Sequence, residues 1–202
     1  MAGMHFLAGI RTDDYVILAS DKSCFAYGAV ILTEEQKKEF QLGEKLYMSL
    51  IGEDGDVSAF GDFAQKNLHL YQLRNGYEIS PRSAHHWLRD SIASALRSSD
   101  AYQVEMLVGG FDDHEKKAFL GSIDYLGNAV PDQNYLFRGF VGRFCYAIMD
   151  NMYRKDMSQE DGLAAMKRCL QEGKKRFVAN IPRYSVMIIT KDGAKRLEDI
   201  VV

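Results

Sequence analysis

Residues 5–21 read HFLAGIRTDDYVILASD. Two apolar runs, His5–Arg11 and Tyr15–Asp21, flank Thr12-Asp13-Asp14, whose polar side chains favour a tight turn. Apolar, β-rich runs on either side of a short turn are typical of paired strands. The stretch therefore predicts a β-hairpin at the start of the chain.

Outward from this hairpin, two more strands are predicted at Gly28–Leu32 and Lys45–Ile51, and together the four could form one antiparallel sheet. Apolar residues then recur at helical spacing from Val57 to Tyr71, and Gly76 ends this helix. A second helix begins at Ser80-Pro81, because Ser suits the N-cap and Pro suits the first helical position. The first half of the chain is thus predicted to be strands followed by a helix pair.

The second half is predicted to hold a hairpin, a second helix pair and two closing strands. The hairpin is predicted at Val104–Phe111 and Lys117–Asp124. One helix is predicted over Phe137–Tyr153, and the capping box Ser158–Asp161 begins the other. The closing strands are predicted at Tyr184–Thr190 and, as a short strand, near Leu197. This order lacks the βαβα alternation of a parallel sheet, so it predicts the α+β class, with antiparallel sheets and helices packed outside them. A length of 202 residues predicts a single domain over residues 1–202.

Composition argues against several classes of partner. Lys and Arg number 25 against 28 Asp and Glu, a net charge of −3 that does not suit a nucleic-acid binder. No apolar stretch approaches the roughly 20 residues of a membrane span, and the apolar start is too short for a signal peptide. Cys24, Cys145 and Cys169 are odd in number and far apart, which predicts reduced thiols. A cytoplasmic or nuclear location is expected.

No side-chain pattern in the chain makes a convincing active site by itself. The adjacent pair His85-His86 lacks the i, i+3 or i+4 spacing of helical metal ligands and is predicted to be surface or partly buried. The acidic loop Gly52–Asp56 lacks the ligand spacing of a calcium loop. Cys24 could be a nucleophile beside Lys22, although no His partner is placed near it. Neither a metal nor a cofactor is predicted.

Several segments, in order, resemble proteasome β-type subunits. They are Tyr15–Asp21, Lys66–Pro81, Val104–Asp112, Ile123–Gly127, and Lys167–Leu170 with Lys175–Phe177, within a similarity that runs from about residue 5 to residue 190. Lys66–Pro81 is most similar to the non-catalytic subunits at the fourth β position of eukaryotic rings (β type 2). The resemblance implies the N-terminal-nucleophile hydrolase fold, a four-layer αββα sandwich of two antiparallel sheets.

The resemblance also implies where an active site would lie. Active members attack the peptide carbonyl with the hydroxyl of an N-terminal Thr, whose own amine serves as base, supported by an Asp and a Lys. Met4 falls at the nucleophile position, Asp21 at the Asp, and Lys38 at the Lys, with Lys37 as the alternative. A thioether has no proton to transfer, so these residues are interpreted as remnants of an inactive site, and no catalytic residue is predicted.

Two supporting positions differ from the active members as well. Phe140 stands where they have a Ser, and Phe177 stands where they have an Asp. The threonines of this chain lie elsewhere, at Thr12, Thr33 and Thr190. Active members begin as longer precursors, whereas three residues precede Met4, so no substantial leader is expected.

The function implied by the resemblance is a non-catalytic, structural β subunit of the proteasome core particle that supports ubiquitin- and ATP-dependent protein degradation. Its partners would be other β subunits of the same ring, α-ring subunits and the opposite β ring, with no nucleic acid or membrane, in the cytoplasm and nucleus. Two alternatives remain open. One is a self-processed hydrolase of the same fold, using a nucleophile such as Cys24; the other is an assembly or adaptor module that binds the particle transiently.

Overall fold

The predicted hairpin forms the centre of the first sheet. In the computed structural model, which describes residues 4–26 and 30–202, the first two strands pair antiparallel with Ala8 opposite Ala19. In chain order the strands and helices are β1 (Leu7–Arg11), β2 (Tyr15–Asp21), β3 (Cys24–Ala26), β4 (Val30–Thr33), β5 (Glu39–Gly43), β6 (Leu46–Gly52), α1 (Asp54–Asn75), α2 (Pro81–Ala95), β7 (Val104–Asp112), β8 (Lys117–Ile123), β9 (Ala129–Val130), β10 (Tyr135–Arg138), α3 (Gly142–Met152), α4 (Gln159–Arg176), β11 (Arg183–Thr190), β12 (Gly193–Arg196) and β13 (Ile200–Val201).

Two larger antiparallel sheets carry the fold. The first has the strand order β10-β1-β2-β11-β12, with β13 against β11, and the second has the order β5-β6-β7-β8-β9. The short strands β3 and β4 pair with each other in a separate ribbon. Every ladder of the two larger sheets is antiparallel, as the order of elements predicted.

The strands alternate between two hydrophobic layers. Along β2, Tyr15, Ile17 and Ala19 face the cluster beneath α3 and α4, whereas Val16 and Leu18 face the second sheet, because successive side chains point to opposite sides of a strand. The other face of the second sheet packs on α1 and α2. The layers are therefore helices, sheet, sheet and helices, which confirms the α+β αββα sandwich.

Small residues let the two sheets approach each other. A Cβ built at Gly9 would lie 2.7 Å from Cδ1 of Leu120, and one at Gly109 would lie 3.0 Å from Cδ1 of Leu18. Each glycine faces a leucine of the opposite sheet, so larger side chains there would force the sheets apart.

The helix boundaries follow local chemistry as predicted. Gly76 follows α1 in a left-handed conformation at φ +76°, which glycine adopts without strain. The Ser80 hydroxyl accepts a hydrogen bond from Ser83 N at the start of α2. Ser158 and Asp161 form the predicted capping box of α4.

The predicted helix over Phe137–Tyr153 is wrong in its first part. Tyr135–Arg138 is a strand, β10, and α3 starts at Gly142. Leu136 and Phe137 are buried on opposite faces of this strand, and β1 supplies its backbone partners. An apolar run buried on both faces has no clear period, so the sequence pattern did not separate this strand from the helix that follows it.

The grouping of the first four predicted strands was also wrong. The strand predicted at Lys45–Ile51 is β6 of the second sheet, and β2 instead pairs with β11, from the far end of the chain. For the strand predicted at Gly28–Leu32, residues 28 and 29 lie outside the described residues, and β4 covers the rest. The short strand predicted near Leu197 ends one residue earlier, as β12.

Within the described residues, no helix combines the length and the apolar character that crossing a bilayer requires.

Candidate functional site

Asp21 and Lys38 form a buried ion pair at one end of the first sheet. Asp21 is the last residue of β2, and Lys38 directly precedes β5. The Lys38 carbonyl accepts a hydrogen bond from Leu50 N (2.9 Å), which fastens this segment to β6. Lys38 Nζ lies 2.5 Å from Asp21 Oδ2, and both side chains are almost fully shielded from water. Lys37, the alternative, is exposed, so Lys38 is the lysine that reaches this site.

Backbone groups complete the surroundings of this pair. Phe6 N donates to Asp21 Oδ1 (2.8 Å), and Ser23 N donates to Oδ2 (3.2 Å). Lys38 Nζ also donates to the carbonyl of Ser23 (2.8 Å). The carboxylate and the ammonium are therefore hydrogen-bonded to the chain as well as to each other, which is what a buried charge requires.

His5 is the third side chain of the cluster. Its Nδ1 lies 2.8 Å from Lys38 Nζ, and its ring contacts Phe25 at a centroid distance of 5.4 Å. Because an ammonium can only donate, Nδ1 accepts this hydrogen bond and the ring proton is placed on Nε2. With Asp21 and the Ser23 carbonyl, His5 gives the three donor hydrogens of Lys38 three acceptors.

The electrostatics of the pair match this geometry. Burial alone would raise the pKa of Asp21, but the charge of Lys38 and its hydrogen bond to the carboxylate outweigh burial and hold that pKa below its usual range. Burial lowers the pKa of Lys38, against the opposing attraction of Asp21. The two opposite charges therefore stabilise each other in a part of the protein that is shielded from water.

Met4 is the residue next to this cluster. It is half-buried and directly precedes His5, whose ring touches the ammonium. Its thioether sulfur carries no hydrogen and is at most a weak hydrogen-bond acceptor. The structure thus brings Asp21 and Lys38 together, and it places Met4 one residue from a group that contacts them.

Phe140 and Phe177, at the two other positions singled out in the sequence, contact each other. Their ring centroids are 6.0 Å apart, at the start of α3 and the end of α4. Phe144 and the guanidinium of Arg143 also pack on Phe140, at 5.8 and 5.4 Å. Aromatic rings therefore stand where a hydroxyl and a carboxylate are expected in active members.

Sequence reasoning missed His5 and Ser23. His5 was interpreted as an isolated histidine, yet the hairpin register pairs Leu7 with Ser20 and so carries residues 5 and 6 to the end of β2. The register of the predicted hairpin could therefore have indicated that His5 lies near Asp21. Ser23 contributes only backbone atoms, which no side-chain pattern can indicate.

Cys24 lies near the cluster but is poorly suited to attack a carbonyl. Its Sγ donates to Asp54 Oδ2 (3.4 Å). Burial and this hydrogen bond raise the pKa of the thiol, whereas a nucleophilic cysteine needs a lowered one. Cys145 and Cys169, the other two cysteines of the described residues, are buried free thiols between α3 and α4.

The remaining sequence candidates are scattered. His85 is buried, and its Nε2 lies 3.2 Å from the Ser122 carbonyl oxygen, so the prediction of a surface or partly buried residue is wrong for it. His86 is exposed, as that prediction allowed. Gly52–Asp56 is the connection from β6 into α1. In residues 4–26 and 30–202, no group of His, Cys, Asp and Glu is arranged to hold a metal ion.

Comparison with known proteins agrees with the fold and with the likeness seen in the sequence. The family described as "Proteasome subunit" matches residues 6–189. The chain is 60% identical to proteasome subunit beta type-2 of Caenorhabditis elegans, over 98% of this chain and 99% of that protein. It is 38% identical to proteasome subunit beta type-4 of Saccharomyces cerevisiae and 34% identical to proteasome subunit beta type-2 of Oryza sativa subsp. japonica. These two alignments cover 97% and 95% of this chain, and 98% and 89% of the relatives. The αββα sandwich and a match over nearly the whole length lead to one conclusion: the chain belongs to the proteasome β subunit family.

Proposed function

We propose that this chain is a non-catalytic, structural β subunit of the proteasome core particle. It would occupy one place in a β ring and contribute to the wall of the proteolytic chamber, while neighbouring subunits cleave the substrate. In that role it supports ubiquitin- and ATP-dependent degradation in the cytoplasm and nucleus.

The observation that carries the proposal is the closed cluster beside Met4. Catalysis by this fold needs a nucleophile with a transferable proton and polar groups free to act on it. The position of the nucleophile holds a thioether, and the three hydrogens of the Lys38 ammonium are directed to Asp21, Ser23 and His5. We interpret Asp21 and Lys38 as groups retained for folding, next to a position that cannot form an acyl-enzyme.

The aromatic contact between Phe140 and Phe177 supports the same interpretation. A Ser and an Asp at these positions could hydrogen-bond and orient a reacting group, whereas two packed rings cannot. Three positions that active members share have thus lost their polar chemistry, while the fold around them is intact.

The partners we propose are other β subunits of the same ring, α-ring subunits and the opposite β ring. The relatives named above are proteasome subunits by name. In a ring of unlike subunits each side of the chain meets a different surface, so large parts of its exterior would be covered.

A labelling experiment tests the lack of catalysis. Core particles purified from cells that carry this chain with an affinity tag are treated with a peptide epoxyketone, which forms an adduct with an N-terminal Thr. We expect adducts on other β subunits and none on this chain, as read from the intact mass of each subunit.

Two outcomes would contradict the proposal. An adduct on any residue of this chain would show a competent nucleophile, and Cys24 would be the first candidate. Recovery of the tagged chain only as a free 22.9 kDa protein would exclude a structural role in the particle. Substoichiometric, transient recovery with the particle would favour the assembly module.

A further inference from the structure

A surface cleft lies where β10 passes into α3, and nothing in the proposed function explains it. Its volume is about 350 Å³, and it is lined by Glu105, Phe137, Arg138, Gly139, Phe140, Gly142, Arg143 and Tyr146. Two guanidinium groups and one carboxylate therefore surround a space whose walls are aromatic.

The charges around the cleft are not paired with each other. In the described part of the chain, neither Arg138 nor Arg143 has a carboxylate within 4.0 Å, and Glu105 has no cationic partner at that distance. Eight of the other ten arginines in the described residues do have a carboxylate within this distance, so the two cleft arginines belong to the minority without one.

Arg138 is held by a hydrogen bond, but its guanidinium does not have all of its hydrogen-bond partners. Its Nη2 donates to Ser122 Oγ (2.7 Å), and this hydroxyl group is completely buried. Its Nε is shielded from water and has no hydrogen-bond partner within the described residues. A buried donor without a partner is unfavourable, so a guanidinium in this state favours an added acceptor nearby.

Arg143 is poised differently, at the rim of the cleft. Its side chain is exposed, and its guanidinium lies 5.4 Å from the ring centroid of Phe140. Stacking on an aromatic ring limits the orientations of the guanidinium while leaving its N–H edge free for a carboxylate. The cleft thus offers one anchored and one stacked guanidinium against the single carboxylate of Glu105.

The backbone of the cleft is closely packed at Gly139. Gly139 has φ +85°, and a Cβ there would lie 1.9 Å from the carbonyl oxygen of His5, so the backbone of the cleft packs directly on the backbone beside Met4. The turn between Arg138 and Arg143 therefore packs on His5, the residue whose side chain contacts Lys38.

We propose that this cleft binds an acidic side chain, Asp or Glu, presented by a neighbouring proteasome subunit of a different sequence. The inference rests on the proposed role of the chain as a ring component. The excess of positive charge selects a carboxylate, and the aromatic walls exclude water around it once the partner is seated, which strengthens the contact.

Charge-reversal variants in cells test the proposal. The tagged chain is expressed as wild type, Arg143→Glu, Arg143→Gln, Arg143→Lys and, as a matched control, Arg97→Glu, whose exposed arginine lies outside the cleft. The measurement is the fraction of the chain that sediments with the core particle, together with the thermal unfolding midpoint of each isolated chain. We expect Arg143→Glu to lower the incorporated fraction roughly tenfold and Arg143→Gln to lower it less. Arg143→Lys keeps the charge but not the stacked guanidinium, so it should fall between wild type and Arg143→Gln. Arg97→Glu should remain near wild type, and all midpoints should agree.

The outcomes separate this inference from the proposed function. If Arg143→Glu and Arg143→Gln incorporate as well as Arg97→Glu, the cleft is not a carboxylate site, although the ring role stands. If wild type itself does not sediment with the particle, both ideas are overturned.

A photo-crosslinking side chain at Tyr146, which also lines the cleft, identifies the partner. A crosslink to a segment of another subunit that contains Asp or Glu supports the inference. A crosslink to a second copy of this chain, or to a segment without an acidic residue, refutes it.

Discussion

Lys38 Nζ lies 2.5 Å from Asp21 Oδ2 in a part of the molecule from which water is excluded. Asp21 is the last residue of β2 in the first sheet, and Lys38 directly precedes β5 of the second. The pair therefore joins the two halves of the sandwich, next to His5 and Met4.

Removing one partner of this pair should be costly. Lys38→Met leaves the Asp21 carboxylate buried without its counter-charge, and we expect the free energy of unfolding to fall by about 3–5 kcal/mol. Urea denaturation followed by fluorescence measures this change. Lys45→Met is the control, because Lys45 pairs with Asp113 at the surface (2.8 Å), where solvent screens the interaction, and this variant should lose far less stability. Equal losses in both variants would mean that burial does not set the strength of the pair.

His85 should make stability depend on pH between neutrality and mild acid. Its ring is buried between Phe119 and the Ser122 carbonyl, and burial lowers its pKa below the usual 6.5. The titratable and charged groups that influence it are Arg82, Asp132 and His86. The unfolded chain takes up this proton more readily than the folded chain. Stability is therefore present above pH 6.5 and is lost as the pH falls from there toward the lowered pKa.

The measurement is the urea midpoint at several pH values from 7.5 to 5. His85→Gln retains a donor for the Ser122 carbonyl and should flatten the profile in this window. His69→Gln removes an exposed histidine that is not among the groups acting on His85, and it should leave the profile as in wild type. The assignment fails if the two variants show the same slope.

Gly139 should tolerate substitution far less than Gly76, although both have positive φ. At Gly76 a Cβ meets nothing within 4 Å, so Gly76→Ala should cost only the strain of the left-handed conformation, about 1–2 kcal/mol. At Gly139 the Cβ would lie 1.9 Å from a backbone oxygen, and Gly139→Ala should cost about 1–3 kcal/mol more. Chemical denaturation of the two variants checks the difference, and a smaller loss for Gly139→Ala would refute the close packing at His5.

Features that depend on residues close together in the sequence could be predicted, and features that depend on distant residues could not. The hairpin at residues 5–21, the caps at Ser80 and Ser158, and the stop at Gly76 depend on neighbouring residues, and the structure confirms them. The pairing of β2 with β11 joins residues more than 160 positions apart, and no local pattern encodes it. Similarly, β10 was taken as part of a helix because both of its faces are buried.

The contacts of the candidate site also join residues that are distant in the sequence. The pairing of Asp21 with Lys38 could be anticipated only through the likeness to a family, because nothing in the spacing of 17 residues implies a contact. The cleft at Arg138 and Arg143 could not be anticipated at all. It depends on the positive φ of Gly139, which turns the chain between β10 and α3 and brings two arginines to one space.

The last prediction concerns Met4 itself. If the missing hydroxyl were the sole reason for inactivity, Met4→Thr would restore a nucleophile once position 4 is the first residue of the chain. We expect this variant, made by cleaving a removable fusion before position 4, to show no reaction with a peptide epoxyketone in intact-mass analysis. The reason is that Phe140 and Phe177 still pack as rings where a hydroxyl and a carboxylate would be needed, and His5 still holds one donor of the Lys38 ammonium. Met4→Ala treated identically is the matched control, because alanine has no hydroxyl, and both variants should unfold at the same midpoint as wild type. An adduct on the Met4→Thr chain alone would show that the groups around position 4 can still support the reaction. The methionine at position 4 would then be sufficient to explain the lack of activity.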